Sequence, residues 1–453
     1  MPFFVPSRSI RQACRGSTVT ISDWSQSVTN TALADAGKAP ARDKAALREV
    51  PVPRLVVVTG FLMMAVSFMV NAMDRQVFAP LLPTIRKEYG FTLQGGGLLA
   101  TGFTLGMALA GLPAGYLVDR FSRKTVLLVS IVIYSLGTLA TPLASGWGDM
   151  AAYRIFSGFG EGMQAAALFA AVGAYFSHRR GLALGGIGTA FGVGVFLGPL
   201  VGVRLATSYD TWRAPFVVFG LAGLATALIA AFVVSRRMTE RAVEASVSTA
   251  SFDYMPASPY NRNTIALAIS AAVGGVVLYG FLGLYPTFLI NHLHFTTAQS
   301  ALAMSCVGFG GVAGLLGGWL GDRVDQRNLL IGGHLALSVI GILVYQVQGT
   351  LGWQCVFAFL MGVFGTGFVF PNTNSAMQRA VHPSQVGRAA GLFVTSYYVT
   401  AAFSGLLLAT LVGSFGWRQA GLWQVTVLPL VAVLALAFVR TSQFNNAVRE
   451  PTH

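Results

Sequence analysis

Twelve apolar runs, separated by short polar turns, constrain this chain more than any other feature. They fall near 55–82, 95–118, 125–144, 150–174, 181–203, 214–234, 264–290, 297–320, 329–347, 351–371, 388–412 and 419–439. A bilayer's hydrocarbon core is about 30 Å thick, and a helix rising about 1.5 Å per residue needs about 20 apolar residues to cross it. The stretch 54–441 has room for twelve such spans. A water-soluble alternative fails on composition. Of 453 residues, 54% are hydrophobic and only 10% charged, against roughly 25% charged in a soluble domain, so too little charge remains to cover a water-facing surface. The predicted fold class is an all-α integral membrane protein with twelve transmembrane helices.

The net charge of +14 would suit a nucleic-acid partner, but the placement of the 30 Lys and Arg argues otherwise. In the tails and every second loop stand 23 of them; five (Arg86, Lys87, Arg204, Arg213 and Arg418) lie on the other face, and Arg75 and Arg154 lie inside spans. By the positive-inside rule this is a topology signal. The protein is expected to be multi-pass in the plasma (cytoplasmic or inner) membrane with both termini cytoplasmic and no nucleic-acid partner. The expected organisation is a disordered cytoplasmic tail at 1–53, a six-helix bundle at 54–235, a cytoplasmic linker at 236–263, a second six-helix bundle at 264–441 and a cytoplasmic tail at 442–453. Cys14, Cys306 and Cys355 are odd in number and widely spaced, which indicates neither a disulfide framework nor a zinc site. His292, His294 and His334 read as bystanders rather than metal ligands. No phosphate-binding loop of the G-x-x-x-x-G-K-[ST] kind occurs, so no nucleotide, cofactor or metal is expected, and drive must come from an ion gradient.

The chain also repeats itself. Gly115-Tyr-Leu-Val-Asp119-Arg120-Phe-Ser-Arg123-Lys124 is echoed from Gly318 through Asp322-Arg323 to Arg327, an offset of 203, and Trp212-Arg213 is echoed by Trp417-Arg418. Two parallel six-helix halves with a site at their interface are a transporter arrangement.

These residues resemble the major facilitator superfamily. The segment Gly115–Lys124 is similar to that family's signature loop, Gly318–Arg327 stands where its second copy belongs, and Arg154-Ile-Phe-Ser-Gly158-Phe-Gly160-Glu161-Gly162 is similar to its fourth-helix motif. The resemblance covers about 54–441; Ser122 departs from the usual Gly, and the second copy has Asp325-Gln326 where the first has Ser122-Arg123. It implies a gating role for Gly115, Asp119, Arg120, Arg123, Lys124, Asp322 and Arg323, with Asp119 meeting the positive end of a helix in the other half. Asn71-Ala-Met-Asp74-Arg75, together with Arg154 and Glu161, resembles the anion:cation symporter branch, which carries organic and sugar acids with protons. Spinster-type lysolipid and sphingolipid transporters show a similar pattern and remain the alternative.

Read without any family, the same four charges stand out. Only Asp74, Arg75, Arg154 and Glu161 lie well inside spans, at an insertion cost of about 2.5–3.5 kcal/mol each unless they face water or pair internally. Asn71, Asp74, Arg75 and Phe78 share one face of the first helix, and Arg154, Glu161 and Gln164 share a face of the fourth. A purely structural account makes Asp74–Arg75 and Arg154–Glu161 internal pairs that fix helix register. The functional account gives Arg75 and Arg154 a carboxylate to grip and lets Glu161, with Asp74 second, exchange a proton. Asn71, Gln164, Tyr279, Tyr285, Asn372, Asn374, Tyr397 and Tyr398 are the further substrate-binding candidates.

The expected function is a secondary active transporter for a small organic anion, proton-coupled and working as a monomer among membrane lipids by alternating access. A lipid or amphiphile transporter and a non-transporting sensor are the alternatives. No enzymatic nucleophile, base or metal set is visible in the spans.

Overall fold

The computed structural model describes residues 52–240, 254–347 and 349–444. Nearly all of the expected N-terminal tail, most of the expected C-terminal tail and the middle of the linker lie outside the described residues.

The first half is built from α1 (Arg54–Tyr89), α2 (Leu93–Arg120), α3 (Arg123–Ala140), α4 (Trp147–Tyr175), α5 (Arg180–Ser208) and α6 (Arg213–Val233). In the second, α7 is Arg262–Asn291, α8 joins Thr297–Gly310 to Gly314–Gly321 through a 3-10 turn, and α9 is Gln326–Gln346. α10 contains a π-helical stretch, Val363–Val369, between Leu351–Gly362 and Phe370–Arg379. The last apolar stretch is helical for 55 residues, Pro383–Ala437, more than two crossings long. It breaks at Gly416, whose φ of 78° and ψ of 169° are open to glycine but strained for a residue with a side chain. α11 is therefore 386–415 and α12 417–437, and the described residues form twelve spanning helices.

Local chemistry explains where the helices begin. Thr92 accepts from the Gly95 amide at 3.0 Å, Asn261 and Thr264 form a capping box, Thr296 and Gln299 form another, and Asp325 accepts from the Asn328 amide at 3.0 Å. Each satisfies amides that have no partner in the first turn. The linker's first residues form a short helix, Arg236–Glu240, against the start of α3: Ser122 Oγ donates to Glu240 Oε1 at 2.9 Å and Arg123 Nη1 to the Thr239 carbonyl at 3.1 Å.

α4 is the most enclosed helix because its middle is made of small residues. Gly158, Gly160 and Gly162 lie against the backbones of Phe103, Tyr134 and Met107, bringing α2 and α3 into close contact with it. Gly198 of α5 lies on Met73 of α1 in the same way. The halves meet along two matched seams. Gly111 and Gly115 of α2 face Gly387 and Gly391 of α11, and Gly314 and Gly318 of α8 face Gly181 and Gly185 of α5. The α2 pair and the α8 pair are separated by 203 residues, the offset of the sequence repeat, so the internal repeat is expressed as two equivalent contacts at the end of the bundle that carries the linker.

Candidate functional site

Arg75 is the centre of a buried network that crosses from one half to the other. Its Nε and Nη2 lie 2.9 Å from Glu161 Oε2, and Nη2 also donates to Asn71 Oδ1 at 2.9 Å. Nη1 points the other way, donating to the Tyr398 hydroxyl at 3.0 Å and to the Tyr279 hydroxyl at 3.2 Å. Asn71 Nδ2 donates to Gln164 Oε1 at 2.9 Å, and Gln164 Nε2 to Ser67 Oγ at 3.2 Å. A planar fork with five donors can hold partners on α1, α4, α7 and α11 at once, which an ammonium could not.

Asp74, next in the chain, serves a separate group. Thr138 Oγ1 of α3 donates to Asp74 Oδ2 at 2.5 Å and lies 3.1 Å from Ser157 Oγ of α4. Arg154 and Arg75 are the cations acting on it. Arg154 is 1% exposed, with its guanidinium 4.1 Å from the Phe103 ring centroid and 4.6 Å from that of Phe78. Asp74 Oδ1, Glu161 Oε1 and Arg154 Nε and Nη1 have no hydrogen-bond partner among the described residues. The pairing therefore runs between helices, Arg75 with Glu161, and not within them. The alternative of same-helix pairs Asp74–Arg75 and Arg154–Glu161 is corrected by this geometry: a buried fork satisfies more donors by reaching across to α4.

A cavity between the halves is lined by Gln76, Phe191, Tyr279, Thr366, Phe370, Tyr397 and Tyr398 among others. Arg75 lies behind its wall, 5.2 Å from the Phe191 centroid and 5.4 Å from that of Tyr398. Arg154, expected beside Arg75 as a carboxylate grip, is not on this wall; the geometry encloses it within the first bundle. Of the other candidates, Tyr279, Tyr397 and Tyr398 line the cavity, whereas Tyr285, Asn372 and Asn374 do not. Tyr285 donates to the Gln354 carbonyl and to its Oε1, both at 3.0 Å. Asn372 Nδ2 donates to the Gly317 carbonyl at 2.9 Å, and Asn374 Oδ1 accepts from Gln378 at 3.0 Å. His334 is bonded to Ser270 at 2.8 Å.

At the linker end the signature residues meet the opposite half. Asp119 Oδ1 accepts from the Gly387 amide at 2.8 Å and Oδ2 from the Arg388 amide at 3.1 Å, while Arg388 Nε donates to Oδ2 at 3.0 Å. Asp322 repeats the motif at α5, accepting from the Gly181 and Leu182 amides, both at 2.8 Å, and from Arg379 Nη2 at 2.6 Å. Each carboxylate caps the positive end of a helix in the other half. Gly115 allows this approach, since a Cβ there would stand 2.7 Å from the Gly387 carbonyl. Arg123 is buried; Lys124 Nζ donates to the Ala231 carbonyl at 2.6 Å. Arg120 lies over Phe121 and Arg323 lies over Trp319. Thr138, Ser157, Phe191, Phe370, Arg379 and Arg388 are absent from the sequence-based candidates. The two arginines enter that reading only as topology signals, and the others are unremarkable in hydropathy.

Twelve helices in two related halves, matched acidic caps at one end and a buried ionic network beside a central cavity define a membrane transport protein. The description "Major Facilitator Superfamily" matches the chain over residues 64–405 and again over 311–452, and the chain belongs to that family. Its relatives include a 4-hydroxybenzoate transporter of Pseudomonas aeruginosa, 24% identical over 409 residues, 82% of this chain and 88% of that protein. A hexuronate transporter of Bacillus subtilis is 26% identical over 270 residues, 57% of this chain and 63% of that protein. A triacylglyceride transporter of Mycolicibacterium hassiacum is 26% identical over 431 residues, 80% of each. The fold is similar to the crystal structure of a human organic anion transporter, with a TM-score of 0.67 and 16% identity, covering 86% of this chain and 100% of that one. These relatives are transporters rather than enzymes, and the first two accord with the anion:cation resemblance of the first-helix and fourth-helix motifs.

Proposed function

We propose that this protein is a secondary active transporter that carries a small organic anion, a carboxylate or sugar acid, together with protons by alternating access. Arg75 is the observation that carries this reading. It is one buried cation shared between Glu161 in the first half and the hydroxyls of Tyr279 and Tyr398 on the cavity wall. Ionised Glu161 neutralises Arg75. Protonated Glu161 frees the fork to attract a substrate carboxylate, so proton and anion enter together. Asp74 serves as the second proton site, with Arg154 as its counter-charge. Two relatives whose names specify carboxylates, hexuronate and 4-hydroxybenzoate, support an anionic substrate. The Asp119 and Asp322 caps act as latches that must open together when the linker end opens. The positive-inside count supports cytoplasmic termini in the plasma membrane.

The test is Glu161→Gln in proteoliposomes. This variant imitates permanent protonation, so accumulation driven by a pH gradient should vanish while exchange of labelled for unlabelled substrate persists. Retained accumulation would transfer the coupling role to Asp74. A second reading, a lipid or amphiphile transporter, draws on the triacylglyceride relative; displacement of the bound anion by a lysolipid at comparable concentration would favour it.

A further inference from the structure

We infer that the central cavity selects an aromatic monocarboxylate, a flat ring bearing one carboxylate, over a polyhydroxylated sugar acid. This rests on the anion reading above and narrows it. The cavity's rings form a mutual edge-to-face array. Tyr279 meets Tyr397 at 6.0 Å and 81°, and Tyr398 at 5.9 Å and 89°; Phe370 meets Tyr397 at 5.0 Å and 85°. Such an array presents ring faces and edges to a further ring, the arrangement aromatic pairs favour.

Few polar groups face the cavity: beside the Gln76 amide and the Tyr397 hydroxyl, its polar side chains are already partly engaged. The Tyr279 and Tyr398 hydroxyls accept from Arg75, and Thr366 Oγ1 donates to the Gly362 carbonyl at 2.6 Å. A sugar acid entering this space would leave several desolvated hydroxyls without partners, which disfavours binding far more than an extra methylene does. A benzene ring asks for no such partners. Arg75 is the one cation that touches the lining among the described residues, so a second carboxylate would be stranded. Gly188 lines the cavity without a side chain: a Cβ there would meet nothing nearer than the Thr366 carbonyl at 3.9 Å, so a larger side chain extends into open space rather than into backbone.

The experiment uses the full-length purified protein, with binding of benzoate, cyclohexanecarboxylate, glucuronate and phthalate followed by calorimetry and by counterflow in proteoliposomes. Benzoate is expected to bind at least about tenfold tighter than each of the other three. Gly188→Val should weaken benzoate by at least about tenfold while the melting temperature stays at the wild-type value; Gly188→Ala, with one methyl, should weaken it less. Glucuronate binding as tightly as benzoate and depending on Arg75 would overturn the inference and leave the anion reading standing. Cyclohexanecarboxylate equal to benzoate would overturn it through the aromatic requirement. No binding of any of the four acids by folded protein would overturn both.

Discussion

The two halves share a fold but divide their polar chemistry unequally. The first bundle holds Asp74, Arg75, Arg154 and Glu161 in its interior, whereas the spans of the second contain no charged residue well inside the membrane. Deep in the second bundle several buried polar contacts are neutral and local: Tyr285 with Gln354, His334 with Ser270, and Gln424 Nε2 donating to the Ser404 carbonyl at 2.9 Å; Gln378 reaches across to the Phe169 carbonyl at 3.1 Å, and the Asp322–Arg379 ion pair stands at the linker end. Neutral contacts of this kind are satisfied within one bundle and fix its packing. The charged network instead extends out of its bundle through Arg75 to two tyrosines of the other. On the proposed reading, the first half carries the proton and charge chemistry and the aromatic face of the second carries shape recognition.

That division is broken most severely at Arg75. Arg75→Ala should abolish both exchange and accumulation and destabilise the protein by about 3–5 kcal/mol, because Glu161 is left buried without its partner. Arg75→Lys, which keeps the charge but loses the fork, should retain the fold and lose most of the exchange. Proteoliposome flux and thermal melting separate the two, and wild-type exchange in the lysine variant would remove Arg75 from the anion site.

The latch should give the next largest effect. Asp119→Asn keeps the side-chain shape but removes the charge facing the α11 amide end and Arg388, a loss of about 1–2 kcal/mol. Labelling of cysteines placed along the cavity should show the linker end open more often, with slower transport. Asp322→Asn should act in the same direction, since Asp322 makes the matching contacts at α5. Unequal effects in the two variants would show that the matched seams do not bear equal load.

A smaller effect is expected at Arg154. Enclosed between Phe78 and Phe103 and absent from the cavity wall, it should influence coupling and not substrate affinity. Arg154→Lys is expected to keep the dissociation constant within about threefold while altering the response of uptake to external pH. A tenfold loss of affinity would return Arg154 to the substrate site.

The smallest effect belongs to the neutral half. Tyr285→Phe removes hydrogen bonds to Gln354 and should lower stability by about 1 kcal/mol with flux unchanged. Loss of flux without loss of stability would place Tyr285 in transport.

What the sequence determined by itself is whatever one dimension can hold. Hydropathy depends on local composition alone, so the spans, the bias of Lys and Arg, and the isolation of four charges are legible without knowing which helices touch. The repeat at an offset of 203 and its likeness to the major facilitator signature are equally linear. Helical periodicity places Asp74 and Arg75 on one face of α1, but it carries no information about the neighbour that face meets. Only packing decided that Arg75 reaches Glu161, Tyr279 and Tyr398 while Arg154 lies enclosed, because the glycines of α4 and α5 bring particular helices into contact. The aromatic cavity is likewise tertiary. Phe191, Tyr279, Phe370 and Tyr397 come from four helices spread over some two hundred residues, and their ring geometry exists only once the two bundles close on each other, since a ring's partners are set by three-dimensional proximity and not by spacing along the chain.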